Sequence, residues 1–336
     1  MARNCFAGKW ISTCAGILSL FISSAVYSQA QRVNGHTPNR DTSFTTWSAF
    51  VHTRKSHPEA QIVPELKSKE IAEKRNMPYS EYGKYILGLD AFYPAERFKQ
   101  KRTAIVIIHG GGWRSGNPAQ HHPLAQQLAA RGYVCFTPEY LLSTQQSYPA
   151  AIYNLKAALR WVVKNAGKYE IDTAKIAVLG FSAGGELAAF LGTTVGHPKF
   201  EGYLKRREKP APVHAVIDID GTLSFTHPET GEGDDSKKTS AATYWLGYSR
   251  KDSLALWEEA SPLTHVGPHT PPTLFINSAV ARMHAGRDDY IKVLDKYNIY
   301  SEVKTFEGAP HSFCLFEPWF TPTVTYIDDF LKRVFK

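Results

Sequence analysis

The apolar positions of this chain follow two rhythms. Nearly unbroken apolar runs of strand length occur at "TAIVIIHGG" (103–111), "YVCFTPEY" (133–140), "KIAVLGF" (175–181), "VHAVIDI" (213–219) and "PTLFIN" (272–277). A run apolar at successive positions suits a strand covered on both faces. "YILGLDAFYP" and "SEVKTFEG" read as further strands. Between them lie segments in helical period. "HPLAQQLAARG" is closed by Gly132. "YPAAIYNLKAALRWVVKNA" places Ala151, Leu155, Ala158, Leu159 and Val162 on one face. "AGGELAAFLGTTV", "DDYIKVLDKYN" and "VTYIDDFLKRVF" complete the set. Strands alternating with helices predict an α/β protein with a mostly parallel sheet covered on both faces. Two stretches break the alternation. Residues 29–84 are polar and mixed and read as an N-terminal arm with a short helix, ahead of a domain spanning 85–336. Residues from about 222 to 270 lie between two strands and read as a cap inserted over a site.

Composition narrows the class. With 336 residues, 43% of them hydrophobic, the chain can bury a large core, and disorder is excluded as its main state. The first 28 residues stand apart. Arg3 and Lys9 precede an apolar run, Ile11 to Val26, too short for an ordinary membrane span, and small residues follow. This is the pattern of a secretory signal peptide over 1–28 and predicts a secreted or periplasmic protein; the competing reading is an uncleaved N-terminal anchor. Cys14 lies inside the apolar run rather than after it, which argues against lipid attachment. Loss of Arg3 and Lys9 leaves a net charge of +6 from +8. The short basic runs Lys205-Arg206-Arg207 and Lys237-Lys238 suit solubility or an acidic polymer, and no nucleic-acid motif accompanies them. Cys135 and Cys314 read as buried free thiols. Paired-cysteine metal spacing and H-E-x-x-H are both missing from the sequence.

The chemistry concentrates in two glycine motifs. Gly180-Phe181-Ser182-Ala183-Gly184 is G-x-S-x-G between a strand and a helix. That setting makes a turn so sharp that side chains at the flanking positions would clash, and it projects the serine above the sheet at a helix N-terminus. The competing reading is a structural turn. The second motif, "IIHGGGWRSG", follows the first buried strand, and its loop runs from His109 to Gly116. Its glycines let backbone N–H groups approach a ligand. Gly111 and Gly112, joined by Ala183 after the serine, are the candidate oxyanion donors. A phosphate loop would need a G-K-[ST] ending, which this loop lacks.

"IIHGGGW", "YPAAIYNLKAALRWV", "IDTAKIAVLGFSAGGELAA" and a late "PHSF" resemble the α/β-hydrolase esterases of the hormone-sensitive-lipase type, with the acetyl xylan and feruloyl esterases nearest in likeness. The resemblance covers roughly residues 85–336. It implies a serine carboxylic ester hydrolase without metal or cofactor, acting on an acylated polysaccharide or oligosaccharide. It also implies a catalytic histidine on the loop after the last strand, where His311 stands in "EGAPHSF". In the family the third member usually follows the strand corresponding to "PTLFIN". Here that stretch is "SAVARMHAGRDD", with alanines at 279 and 281, so Asp288 is the expected acid and Asp289 and Asp220 are alternatives. Asn154 stands where relatives often carry an aspartate. Trp113, Trp245 and Trp319, with Tyr244, Trp257 and Phe320 nearby, are expected around the site as stacking faces for sugar rings.

Two readings compete. "DIDGT" matches the D-x-D-G-T signature of haloacid-dehalogenase-type phosphatases, with Asp218 as nucleophile, Asp220 as acid/base and Mg²⁺ bound. That motif normally opens its domain, and the reading leaves both glycine motifs unexplained. The other is a non-catalytic binding protein on the hydrolase fold, supported only by the uncertain acid.

Overall fold

The computed structural model describes residues 30–38, 41–96, 100–204 and 208–336. The signal-peptide stretch 1–28 and the basic run Lys205-Arg206-Arg207 lie outside the described residues. In chain order the elements are α1 (Thr46–Thr53), β1 (Gln61–Ile62), β2 (Ile71–Tyr82), β3 (Tyr85–Pro94), β4 (Arg102–Ile108), α2 (His122–Ala130), β5 (Val134–Pro138) and α3 (Ala150–Lys164). There follow β6 (Ile171–Phe181), α4 (Ala183–Thr193), β7 (Ala215–Ile219), α5 (Ala241–Leu246), α6 (Leu254–Glu259), β8 (Thr273–Asn277), α7 (Arg287–Lys296), β9 (Ser301–Thr305), β10 (Phe316–Glu317) and α8 (Phe320–Val334).

Eight strands form one sheet in the order β2-β3-β5-β4-β6-β7-β8-β9. β2, β3 and β5 pair antiparallel, and all pairs from β5 to β9 are parallel. This is the α/β-hydrolase fold. The period-2 geometry of β4 divides the core. Ala104, Val106 and Ile108 pack with Leu155 and Leu159 of α3 and Leu187 of α4; Ile105 and Ile107 pack with Leu128 of α2 and Ile327 and Phe330 of α8.

The register fixes where a site can form. Ile108 pairs with Gly180, Gly180 with Asp218, and Asp218 with Phe275. The loops after β4, β6, β7 and β8 therefore leave the sheet at one level, at its carboxyl edge, where open α/β sheets place their ligands.

The expected arm over 29–84 needs correction. α1 is its short helix, but Ile71–Tyr82 is a full strand paired along β3. This edge strand is largely exposed and irregular, with register shifts between Lys74 and Met77 and between Pro78 and Ser80. One bonded side and little burial leave almost no apolar alternation to read.

On α3, Lys156 is buried as a satisfied charge. Its Nζ donates to Glu201 Oε1 at 3.0 Å and to the Thr194 carbonyl at 2.7 Å. Lys156→Met is expected to cost about 1–3 kcal/mol in a denaturant titration, because Glu201 loses its ammonium partner but keeps Arg160 Nη1 at 3.4 Å and the Gly196 N–H at 2.9 Å.

Candidate active site

Ser182 occupies the turn between β6 and α4 at φ 56° and ψ −122°. Its N–H donates to the Ile219 carbonyl at 2.8 Å, tying the turn to β7. The two motif glycines are required by close approach: a Cβ on Gly180 would collide with the Gly184 carbonyl, and one on Gly184 with the Ile108 carbonyl. The serine itself has no such relief and holds a backbone conformation that glycine tolerates better. Ser182→Gly is therefore expected to be about 1 kcal/mol more stable than Ser182→Ala by thermal unfolding.

His311 lies on the loop after β9. Its Nε2 is 2.9 Å from Ser182 Oγ and its Nδ1 is 2.9 Å from Asp220 Oδ2. The Phe181 ring packs against the imidazole at 4.9 Å between centroids. Asp220 is fully buried at the end of β7, at φ 51°. Its N–H donates to the Ile276 carbonyl at 3.1 Å, and its Oδ1 accepts from the Ser278 N–H at 2.8 Å. The carboxylate is thus held by the loop of the neighbouring strand while its second oxygen faces His311.

The expectation that Asp288 supports His311 is corrected by this geometry. Asp288 falls in the first turn of α7, its side chain 71% exposed, and pairs with Arg287 at 2.8 Å. Asp289 pairs with Lys292 at 2.7 Å and with His227 at 3.4 Å. Both carboxylates lie where acids favour a helix N-terminus. The loop after β8 instead coils into a short 3₁₀ turn, Ala281–His284, before Gly286 starts the helix.

The loop after β4 carries Gly111 at φ 124° and Gly112 at φ 59°. The N–H groups of Gly111, Gly112 and Ala183 have no acceptor among the described residues. Gly110 abuts the Ser182 turn; a Cβ there would stand 3.1 Å from Ser182 Cβ. Its own N–H is occupied, donating to Gln120 Oε1 at 2.8 Å. Residues 222–270 reach this loop as well: a Cβ on Gly112 would meet the Ala241 methyl at 3.1 Å.

The aromatic expectations are corrected too. Trp113 is 4% exposed and Trp245 is fully buried; they stack on each other at 4.9 Å and 10°, with Phe225 edge-on to Trp113. Their faces are spent on the core. Trp257 is also buried, its indole donating to the Tyr248 carbonyl at 3.0 Å, and Phe320 is 3% exposed. Trp319 meets His57 edge-on at 5.2 Å and packs against the α2–α8 core. Tyr244, half-buried like Trp319, has the Arg114 guanidinium over its ring at 4.1 Å, and Arg114 Nε is bonded to Asp41 at 3.3 Å. Asn154 is buried and structural, accepting from the Leu141 N–H at 3.1 Å.

The phosphatase arrangement does not form. Asp218 is fully buried, one oxygen accepting from the Gly221 N–H at 2.8 Å, while Asp220 faces the imidazole. Two carboxylates open toward a common cation are not what these positions offer. Sequence reasoning missed a further buried acid, Glu186, one helical turn after Ser182; it appeared only as part of an apolar helix.

The chain is similar to known esterases. The BD-FAE family profile matches residues 89–283. Esterase LipC of Mycobacterium tuberculosis is 27% identical over 261 residues, 73% of this chain and 62% of LipC. Carboxylesterase NlhH of the same species is 34% identical over 132 residues, 39% of each chain. The chain spans about half to 62% of the length of LipC and of the esterases LipM and LipQ. Among solved structures, propionate-bound esterase Est2 of the planctomycete Thermogutta terrifontis aligns with a TM-score of 0.64 and 25% identity, covering 79% of this chain and 95% of that one. A truncated carbohydrate esterase from gut microbiota aligns with a TM-score of 0.64 at 23% identity, over 78% and 96% of the two chains, a likeness of fold.

Proposed function

Because the chain belongs to the BD-FAE family, we propose that it is a secreted serine carboxylic ester hydrolase that removes acetyl groups from acylated plant polysaccharide. One observation carries the hydrolase reading: the unbroken line from Ser182 Oγ through His311 to Asp220, with both hydrogen bonds at 2.9 Å. In the proposed reaction His311 Nε2 takes the Ser182 proton as Oγ attacks the ester carbonyl. The N–H groups of Gly111, Gly112 and Ala183 receive the developing oxyanion. His311 then returns the proton to the leaving alcohol and the acyl-enzyme forms. Water, deprotonated by His311, releases the acid and restores Ser182. Asp220 holds the imidazole in one orientation and stabilises its charged form. The binding-protein reading loses its basis, since it depended on a missing acid.

Acetyl is preferred over feruloyl because similar Est2 structures hold propionate and butyrate, both short acyl groups. The polysaccharide as alcohol partner rests on the resemblance of the sequence motifs to acetyl xylan and feruloyl esterases. The stacking aromatics no longer do, since most are buried. Export rests on the apolar N-terminal run, and N-terminal sequencing of the exported protein should begin near residue 29. The substrate test is acetate and ferulate release from a panel of xylans and pectins. Acetate should dominate; ferulate release without acetate would reverse the acyl assignment. Turnover of aryl acetates should also survive exhaustive EDTA treatment, because every proposed group is a side chain or backbone N–H. A Mg²⁺ requirement with phosphate-ester turnover would restore the phosphatase reading.

A further inference from the structure

We propose that Glu186 and Asp218 are positioning residues, Glu186 fixing the oxyanion loop through the Trp113 indole and Asp218 fixing the turn that carries Asp220 through the Gly221 N–H. This rests on the hydrolase reading of Ser182. Glu186 is fully buried on α4, and its Oε2 accepts from Trp113 Nε1 at 2.9 Å. Trp113 follows Gly112 directly and sits at φ 56°, a conformation a bulky side chain holds only when its surroundings impose it. Three contacts impose it: the bond to Glu186, the stack on Trp245, and the Ser143 N–H donated to its carbonyl at 2.6 Å. The first of these links the loop to the helix that begins at the nucleophile. Without it the Gly111 and Gly112 N–H vectors lose their reference to Ser182.

Asp218 makes the equivalent link on the other side. Its Oδ1 accepts from the Gly221 N–H at 2.8 Å, one residue beyond Asp220. The space is kept open by glycine on both sides, since a Cβ on Gly185 or on Gly221 would collide with that same oxygen. "SAGGE" and "DIDG" are therefore interlocking pieces of one support. The second oxygens, Glu186 Oε1 and Asp218 Oδ2, are buried with no partner among the described residues. Burial pushes both carboxyls well above the ordinary range; Asp218 further raises Glu186, and Asp220 further raises Asp218. Burial therefore opposes further negative charge beside the His311–Asp220 pair while the two carboxyls hold both loops.

Steady-state kinetics on an aryl acetate test this. Glu186→Gln and Asp218→Asn keep a neutral acceptor and should hold kcat within about threefold. Glu186→Leu and Asp218→Leu should lower kcat about 100-fold or more with KM nearly unchanged, as expected when donors or acid lose aim. Trp113→Phe keeps a stacking ring but removes the indole donor, so it should resemble Glu186→Leu. The double variant should then be no worse than the weaker single one. Circular dichroism establishes that each variant is folded; if the leucine variants are not, Trp113→Phe decides alone. Unchanged kcat in Trp113→Phe, amides as damaging as leucines, or multiplying losses in the double variant would overturn the inference. A wild type no faster than Ser182→Ala would instead overturn the hydrolase reading.

Discussion

Asp220→Asn should lower kcat on an aryl acetate by about four orders of magnitude, while Asp288→Asn leaves it within about twofold. The asymmetry follows from position. Asp220 is fully buried with one oxygen 2.9 Å from His311 Nδ1. An amide there can still accept from the Ser278 N–H, so the fold is retained. It no longer stabilises the imidazolium that forms as Ser182 attacks, and it can hold the ring in the wrong tautomer. Asp288 loses only an exposed pair with Arg287, and exposed pairs contribute about 0–1 kcal/mol. Thermal melts of both variants close to wild type would place the difference in catalysis. Equal losses, or a larger loss at Asp288, would mean that the acid acts from the α7 side.

Ser182→Ala should remove about six orders of magnitude of kcat, with a residual rate from the oxyanion N–H groups and substrate binding alone. The alanine keeps the Cβ and the strained turn, so the backbone donors stay in place. Active-site titration separates this from misfolding: a folded Ser182→Ala should release no burst of aryl alcohol, whereas wild type releases one equivalent as the acyl-enzyme forms. Wild-type turnover in the alanine variant would remove Ser182 from the mechanism.

Local grammar made most of the site legible. The elbow around Ser182 and the glycine loop are single turns whose backbone demands are written in adjacent residues. His311 follows a strand and a Gly–Pro-rich turn. The acid is a different kind of problem, because β7 and β8 are neighbours and end at one level, so either can deliver a carboxylate to the same imidazole. Which one does so depends on how the loop after β8 coils, and "SAVARMHAG" carries no periodicity that settles it. The tryptophans failed for a related reason. Trp113 and Trp245 sit in loop and insertion segments that read as solvent-facing, yet they find each other and bury both faces. The Asp218 of "DIDG" looked like phosphatase chemistry because the sequence shows the carboxyl but not Gly185 of α4 and Gly221 after β7 closing around it.

The central claim is that Ser182 is a nucleophile activated through His311 by Asp220. Its most direct test is the rate of covalent labelling by an aryl phosphonate, with the modified peptide identified by mass spectrometry. Wild type and Asp288→Asn should label at similar rates, on Ser182 alone, with activity lost in proportion, and Asp220→Asn should label far more slowly. Labelling at another residue, or equal rates in Asp220→Asn and wild type, would contradict it.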